Sequence, residues 1–378
     1  MIQAVVDSDP PYPYLADEII RNILIRLPVK SLIRFQCVCK HWKNVIKSAS
    51  FVADHLHISA LRDPLLLLHY SAVRSNSRYC VMLDYKFRVL ELLPSPLISQ
   101  KVTIISSSNG LLCAQIHIES QVLPSLLLWN PATREARLVP HPVNNHIGYF
   151  KLGFGFSSIV NDYKIVMFYY DYKVEAKRVV VYSLSTCSWR EIKVVNLGGL
   201  SLDFPTITLH GAIFWRGYRL GGGVGDWIIV SFGIAMEVFT LITPPPKVGF
   251  HSCRSLTVYE NKLALFSRAK SENNDSFVID LWVMEEGTGE SGKKKGWNKI
   301  YSISTILDMV PYGFWFDEVV CKDDDPPDDL FEFPICRLNL NTHELETFAT
   351  FRRGYQVSIV CNHVESLVPL GNIHIEEA

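Results

Sequence analysis

The sequence predicts a small unit of three short helices followed by an all-β propeller of six blades, with seven as the alternative. Between Ala16 and Lys47, apolar residues recur at helical spacing. Beyond about residue 60, short runs of β-formers separated by turn residues recur roughly every fifty residues. The length of 378 residues agrees with two units, because it exceeds what one compact core usually serves.

The first helix is predicted from the apolar face formed by Ile19, Ile20, Ile23, Leu24 and Leu27. It should stop at Leu27, because a proline disfavours helical backbone at the residue before it. A second short helix is predicted from Lys30 to Phe35. A third should carry a stripe formed by Val38, Trp42, Val45 and Ile46.

These helices need a cover for their apolar surface, because some forty residues are near or below the size at which a core is self-sufficient. Periodicity alone leaves two covers open: the rest of the same chain, or a partner protein.

The stretch "LADEIIRNILIRLPVKSLIRFQCVCKHWKNVIKSASFV" resembles an F-box, the helical module that binds the Skp adaptor of SCF ubiquitin ligases. The resemblance implies an Skp partner and, through it, a cullin, and so favours a partner protein as the cover. One departure is Ala16, since many family members have proline there. The implied adaptor-binding residues are Leu15, Ile19, Ile23, Leu24, Leu27, Pro28, Leu32, Phe35, Val38, Cys39 and Trp42.

The repeating region contains six strand pairs that align on Met82, Trp129, Tyr182, Ser231, Trp282 and Leu338, at intervals of 47 to 56 residues. Further hairpin candidates such as "SSSNGLLCAQ" and "LHGAIFWRGY" lie between them. Each period therefore holds about four strands in about fifty residues, the size of a kelch-like propeller blade.

The two ends of this region are unequal. The C-terminal "VSIVCNHVESLVPL" has inner strands without outer ones, and residues 65–93 supply outer strands without a full inner pair. Joining the two would complete a sixth blade and leave no exposed sheet edge.

The same region resembles the F-box-associated domain of plant F-box proteins, the group that includes the S-locus F-box proteins. The resembling pieces include "SSNGLLC", "LWNPATRE", "GFGFSSIVNDYKIV" and the ending "ESLVPL". We therefore expect a disordered N-terminus at 1–13, an F-box at 14–56 and an F-box-associated propeller domain at 57–378.

No motif points to catalysis, a metal or a cofactor. Gly153 and Gly155 lack the third glycine and the following helix of a phosphate site, so they are interpreted as a strand with small residues. The nine cysteines show no CxxC pair. The formal charge of -1 gives no global attraction to nucleic acid or membranes, and no apolar run is long enough to cross a bilayer.

Two loops are candidates for substrate binding. One contains Gly221, Gly222 and Gly223, and the other contains Asp323, Asp324 and Asp325. Loops on a rigid scaffold vary freely, and an acidic loop at a propeller mouth would steer a basic partner.

The sequence and the resemblance together imply a substrate-recruiting subunit of an SCF ubiquitin ligase that performs no bond chemistry itself. Its substrate would be a protein. We expect it in the cytoplasm or also the nucleus, because the N-terminus lacks the basic start and apolar core of a secretory signal. The alternatives are a scaffold that binds Skp without ubiquitylation, and a propeller enzyme.

Overall fold

The computed structural model describes residues 15–371 except 63, 73–77, 85–87, 93–100, 118–123, 143–148, 171–175, 194–196, 220–226, 247, 250, 272–275, 286–295, 324–331 and 353–354. Within these residues, four helices precede twenty-four strands. The expected disordered segment at 1–13 lies outside the described residues.

The helical unit (residues 15–62) contains α1 (Asp17–Leu24), α2 (Val29–Phe35), α3 (Lys40–Lys47) and α4 (Ala49–Arg62). The predicted break at Pro28 is present, because Pro28 has extended backbone and stands directly before α2. The first helix ends three residues earlier than predicted, and a turn from Ile25 to Leu27 replaces its last turn.

Two features of this unit differ from the prediction. Val38 lies outside α3, because Cys39 adopts extended backbone and caps the helix by accepting the Trp42 amide at its Sγ, at 3.4 Å. The fourth helix was not predicted, and the boundary expected between residues 56 and 57 falls inside it. Its pattern is weak because a polar residue, His55, takes the buried position one turn after Phe51.

The strands form six four-stranded antiparallel sheets. In chain order, the first three strands are β1 (Leu65–Ala72), β2 (Arg78–Leu83) and β3 (Val89–Leu92). Blade 1 is β4 (Lys101–Ser108), β5 (Leu111–His117), β6 (Ser125–Asn130) and β7 (Glu135–Val139). Blade 2 is β8 (Tyr149–Ser157), β9 (Asp162–Tyr170), β10 (Ala176–Ser183) and β11 (Ser188–Ile192).

The remaining blades follow the same plan. Blade 3 is β12 (Leu200–Leu209), β13 (Ala212–Arg219), β14 (Trp227–Gly233) and β15 (Val238–Ile242). Blade 4 is β16 (Cys253–Tyr259), β17 (Lys262–Lys270), β18 (Phe277–Glu285) and β19 (Gly296–Thr305). Blade 5 is β20 (Met309–Trp315), β21 (Glu318–Asp323), β22 (Glu332–Asn339) and β23 (Leu345–Arg352). Blade 6 is β24 (Tyr355–His363) with β1, β2 and β3.

The predicted closure of the ring is confirmed. The last strand, β24, pairs antiparallel with β1, with Leu65 opposite His363 and Ala72 opposite Tyr355. The first strands of successive blades contact one another in a closed circle around the axis. The C-terminal part supplies one inner strand, where two were expected, and the N-terminal part supplies the other three.

The turns explain why the predicted hairpins form. The turns between first and second strands include Asn109-Gly110, His210-Gly211 and Glu260-Asn261, each with positive φ at both positions. This conformation matches the twist of a two-residue hairpin. The turns between third and fourth strands end in a residue with positive φ at Arg134, Cys187, Glu237 and His343, so the repeat is also visible in the backbone.

Apolar clusters fill the junctions between neighbouring blades. Gly153 shows why blade 2 carries its glycine pattern: a Cβ there would lie 2.1 Å from Cζ2 of Trp215 in blade 3. Trp215 also donates its ring N–H to the Leu152 carbonyl at 3.1 Å. The glycines therefore serve packing within a strand, as the sequence indicated.

The ring has two distinct faces. The turns joining first to second and third to fourth strands lie on one face, here called the lower face, because adjacent strands of each blade are antiparallel. The connections from second to third strands and between blades start and end on the other, upper face. The helical unit packs on the lower face, where Ala132 and Phe316 approach it. No helix among the described residues is long and apolar enough to span a bilayer.

Candidate functional site

The helical unit presents an uncovered apolar surface. Leu15 is 55% exposed, Ile19 and Ile23 are each 48% exposed, and Val38 is 59% exposed. Pro28 and Cys39, also predicted as adaptor-binding residues, are exposed too. Ile19 and Ile23 are one helical turn apart on α1, so their side chains lie on one side of that helix. We call Leu15, Ile19, Ile23 and Val38 the exposed apolar row.

The other predicted adaptor-binding residues lie deeper. Leu24 and Leu32 are fully buried at 0% exposure in the core shared by the four helices. They therefore support the surface from beneath and do not belong to it. Leu27, Phe35 and Trp42 are half-buried at the margin of the same core.

Two aromatic side chains fix α2 against α3. The rings of Phe35 and Trp42 meet edge to face, with centroids 5.6 Å apart. Such pairs contribute about 0.5–1.5 kcal/mol beyond the area they bury. This contact therefore fixes α2 relative to α3 at the margin of the helical core.

Polar contacts tie α4 to the other helices. The His55 Nε2 lies 2.9 Å from the Leu27 carbonyl oxygen, and desolvation lowers the pKa of the His55 ring. The Arg21 guanidinium pairs with Asp54 and lies over the Phe51 ring, 5.4 Å from its centroid. The unpredicted fourth helix is thus part of the unit that carries the exposed apolar row.

The helical unit is basic, although the whole chain is not. Residues 15–62 contain eight Lys and Arg against three Asp and Glu, whereas the whole chain has a formal charge of -1. Lys30, Lys40, Lys43 and Lys47 are exposed. Asp17 and Glu18, next to Leu15 and Ile19, are exposed as well, so the unit has a net positive surface that suits a partner with a mainly acidic rim.

One element at the junction of the two units was predicted as an inner strand of the sixth blade, but it lies outside the strands. Residues 364–370, here called the C-terminal strap, follow β24 along the lower face. Leu367 of this strap is 8% exposed and belongs to the core of the helical unit. The strap was predicted only as strand-like pattern, because nothing local in "ESLVPL" indicates which distant core receives its leucines.

The loops predicted for substrate binding fall mostly outside the described residues. Gly221, Gly222, Gly223, Asp324 and Asp325 all lie in the segments 220–226 and 324–331. Asp323, the last residue of β21, is 6% exposed. Both segments connect a second strand to a third strand, so the strand ends that flank them lie on the upper face.

The upper face of blade 2 carries cations over aromatic rings, which sequence reasoning missed. The Lys151 Nζ lies 5.1 Å from the Tyr149 ring centroid, and Tyr149 is 56% exposed. The Arg178 guanidinium lies 5.7 Å from the Tyr169 ring and is paired with Glu191 at 2.7 Å. In blade 4, the Lys270 Nζ lies 5.6 Å from the Phe277 ring. Of the two rings in blade 2, Tyr149 is the exposed one, because Tyr169 is 7% exposed and its cation is already paired with Glu191.

A cleft of about 780 Å³ separates α4 from the lower face of blades 1 and 2. Its walls include Val52 and Leu56 on α4, Phe156 in blade 2, and Val368 and Pro369 on the strap. Asp162 lies in this cleft, but its carboxylate already accepts from the Ser185 amide at 2.9 Å and from the Ser183 hydroxyl at 2.5 Å. Beside this cleft, the helical unit contacts the ring through Leu367 of the strap and through Ala132.

Two observations on the described residues concern metal ligands and thiol nucleophiles. No group of three or more His, Cys, Asp and Glu side chains there could hold a metal ion. Burial raises the pKa values of the Cys113 and Cys321 thiols well above their usual range, so neither is an activated nucleophile.

Comparison with known proteins agrees with this architecture. The model of the F-box associated beta propeller domain matches residues 71–370, and that of the F-box domain matches residues 14–53. F-box protein CPR1 from Arabidopsis thaliana is 25% identical over 338 residues, covering 81% of this chain and 77% of that protein. The F-box/kelch-repeat protein At3g23880 from the same plant is 26% identical over 316 residues, covering 78% and 80%.

Solved structures show a more distant likeness. The β-propeller domain of the Trilobed protease from Pyrococcus furiosus is 10% identical with a TM-score of 0.37, covering 75% of this chain and 79% of that chain. Prolyl oligopeptidase B from Galerina marginata is 11% identical with a TM-score of 0.39, covering 66% and 37%.

Proposed function

Because the chain belongs to the family of F-box proteins with an F-box associated β-propeller domain, we propose that it is a substrate-recognition subunit of an SCF-type ubiquitin ligase. In this proposal, the helical unit binds the Skp adaptor and, through it, a cullin. The propeller binds a target protein. Ubiquitin transfer is accelerated by proximity, since the bound target is held near the charged carrier.

The observation that carries the proposal is the exposed apolar row. Isolated exposed apolar residues are common on soluble proteins, but four of them on one small helical unit of net positive charge are typical of a docking surface. Within the described residues, the propeller covers another part of the same unit through Leu367 and Ala132. The propeller thus covers part of the apolar surface of the helical unit, and an adaptor would cover the exposed apolar row.

We place target binding on the upper face. This face lies opposite the helical unit, so a target bound there would not compete with the adaptor for space. The exposed Tyr149 ring lies on this face, and the two candidate loops start and end on it. We also propose that the protein acts in the cytoplasm or the nucleus, where its adaptor and cullin partners would have to meet it.

The direct test is reconstitution with a purified Skp adaptor. We expect a one-to-one complex whose dissociation constant rises on Ile23→Arg. Leu345→Arg provides the matched control, because Leu345 is 40% exposed on the outer strand of blade 5. No complex with the unsubstituted chain would overturn the proposal.

The proposal competes with an Skp-binding scaffold that ubiquitylates nothing and with a propeller enzyme. Affinity purification with and without proteasome inhibition separates these functions. A ligase subunit should accumulate a bound protein when the proteasome is inhibited, whereas a scaffold should retain the same partners in both conditions. An enzyme would instead turn over a small-molecule or peptide substrate without the adaptor, and activity of the purified chain alone would favour it.

A further inference from the structure

The C-terminal strap is bound tightly to blade 1. The Asn130 side chain, which is 0% exposed, donates from Nδ2 to the Ser366 and Val368 carbonyls, both at 2.9 Å. At the far end of the strap, the Leu370 amide donates to the Glu135 carboxylate at 2.7 Å. Leu370 itself is 2% exposed in the core between blades 1 and 2.

A glycine allows the strap to lie this close. Gly110, in the turn between β4 and β5, has a φ of +78°. A Cβ at this position would lie 2.0 Å from the Ser366 Cβ and 2.8 Å from the Val364 carbonyl oxygen. Both the backbone conformation and the close approach therefore require glycine.

Between these two contacts, the side chain of Leu367 points away from blade 1 and into the helical core. Leu367 packs with Leu24, Val29 and Phe51 of the helical unit, while its neighbours Ser366 and Val368 are held by Asn130. Alternate residues of an extended segment point to opposite sides, so a single strap can serve two cores at once. Ala132, in the turn that Asn130 caps, also contacts the helical core.

Three pieces of sequence that carry the family resemblance meet at this point. Gly110 belongs to "SSNGLLC", Asn130 to "LWNPATRE", and Ser366 and Leu367 to "ESLVPL". None of the three belongs to the exposed apolar row or to the candidate substrate loops. Their convergence indicates one structural task, which is to seat the helical unit on the ring.

We propose that the C-terminal strap is a positioning element, and that Leu367 and Asn130 are positioning residues that fix the direction of the adaptor surface relative to the upper face. The proposal rests on the proposed function, because a fixed direction matters only if a target must be held at a set distance from a carrier. A rigid seat narrows the set of lysines that a bound carrier can reach. Beside the strap, Ala132 of the β6–β7 turn contacts the helical core, whereas α4 faces a cleft over blades 1 and 2.

The test is the distance between the two units in the full-length protein. Dyes are introduced through unnatural amino acids at Leu61, which is 73% exposed on α4, and at Ile306, which is 83% exposed on the upper side of the ring. Single-molecule energy transfer should give one narrow distance for the unsubstituted chain. Leu367→Asp should abolish this single distance, and Leu367→Ala should broaden it to a lesser extent. Leu345→Asp serves as the matched control and should leave it unchanged.

Two further readouts separate positioning from folding. The thermal midpoint of the propeller and the dissociation constant for the Skp adaptor should stay unchanged in Leu367→Ala. In a reconstituted reaction, the set of self-ubiquitylated lysines, mapped by mass spectrometry, should widen in this variant. A change in lysine choice at constant adaptor affinity is not expected from a merely structural residue.

Defined outcomes would overturn the proposal. A single narrow distance retained in both Leu367 variants would show that the strap does not set the angle. Loss of adaptor binding in Leu367→Ala would show that Leu367 serves the folding of the helical unit instead. The distance measurement needs no adaptor, so its failure leaves the proposed function standing. Conversely, an unsubstituted chain that binds no adaptor would overturn the proposed function alone.

Discussion

Asn130 and Ser366 are 236 residues apart in the chain, yet the Asn130 side-chain amide donates to the Ser366 carbonyl at 2.9 Å. The Asn130 Oδ1 also accepts the Ala132 amide at 3.1 Å. One buried side chain therefore shapes the turn at the end of β6 and binds the end of the propeller domain. Removing it would leave two strap carbonyls without their donor.

We expect Asn130→Ala to lower the free energy of unfolding by about 2 kcal/mol or more, because buried acceptors would lose their donor. Asn339 provides a matched control. It ends β22, and its Oδ1 accepts the Asn341 amide at 2.9 Å in an equivalent turn. Asn339→Ala should cost less, about 1 kcal/mol. Denaturant unfolding of both variants is the measurement, and equal losses would contradict this role for Asn130.

The free energy of unfolding should decrease as the pH is lowered, because His363 is buried as a neutral ring. Burial lowers the pKa of this ring to about 4, and its Nδ1 contacts the Ser107 hydroxyl at 3.1 Å. The unfolded chain takes up this proton near its ordinary pKa, so the stability is fully present above that value and is lost as the pH falls toward 4. The total loss is about 3 kcal/mol, from the size of the pKa shift.

His363→Gln should remove this pH dependence, because glutamine does not titrate. Urea unfolding between pH 7 and pH 4.5 should show a steeper decline for the unsubstituted chain than for the variant. The lowered pKa of His55 acts in the same direction, but it is present in both proteins and cancels in the comparison. Parallel curves would show that His363 does not titrate in this range.

Two substitutions on the helical unit should behave differently. Ile23 is 48% exposed, so Ile23→Arg should weaken adaptor binding by about 2 kcal/mol, as expected of an interface anchor, without changing the thermal midpoint. Leu27 is half-buried against the helical core, so Leu27→Arg should lower both the adaptor affinity and the thermal midpoint. Titration calorimetry and thermal unfolding of both variants are the measurements. Unchanged adaptor affinity in Ile23→Arg would show that α1 does not contact the adaptor.

Target choice should follow the connections that start and end on the upper face. Exchanging residues 220–226 and 324–331 for those of a relative should change the set of proteins recovered with the chain. Adaptor affinity should stay the same, because the flanking strand ends Arg219 and Glu332 lie opposite the helical unit. Recovery by mass spectrometry is the measurement. An unchanged set would place target binding elsewhere on the ring.

Deleting residues 355–378 should destabilise the whole ring, because β24 is the inner strand of blade 6 and its removal exposes the edge of β1. The helical unit keeps its own core of Leu24, Val29, Leu32, Ile46 and Phe51 after this deletion, so adaptor binding should persist. Deleting only residues 372–378 is the control and should leave both unchanged. Thermal unfolding and adaptor titration are the measurements, and a ring unaffected by the longer deletion would contradict the closure.

The repeat was predictable because its evidence is local. The six aligned positions, Met82 to Leu338, all fall on third strands, where each lies opposite a second-strand residue, as Trp129 lies opposite Leu112. The closure followed from counting unpaired strands at the two ends. Both inferences need only the period of two within a strand and the spacing between turns.

The joint between the units could not be predicted, because its contacts span most of the chain. Leu367 and Leu370 form one short apolar run, and no periodicity shows that one enters the helical core and the other the ring. The same difficulty affects the candidate site. Leu24 and Ile23 are adjacent apolar positions on one helix, and only the packing shows that Leu24 is interior and Ile23 is exposed. The helix α4 was missed for a related reason, because the polar residue His55 occupies one of its buried positions and weakens the apolar pattern.

The position of β24 also has a consequence for biosynthesis. The strand that pairs with β1 leaves the ribosome almost 300 residues after its partner. At usual elongation rates this interval lasts on the order of tens of seconds, during which the edge of β1 has no β24 to pair with. Leu367 emerges later still, so the helical core stays incomplete over the same interval. A chain that stops before β24 would therefore lack both a closed ring and the strap that seats the helical unit, so neither unit reaches its final arrangement until this region has been made.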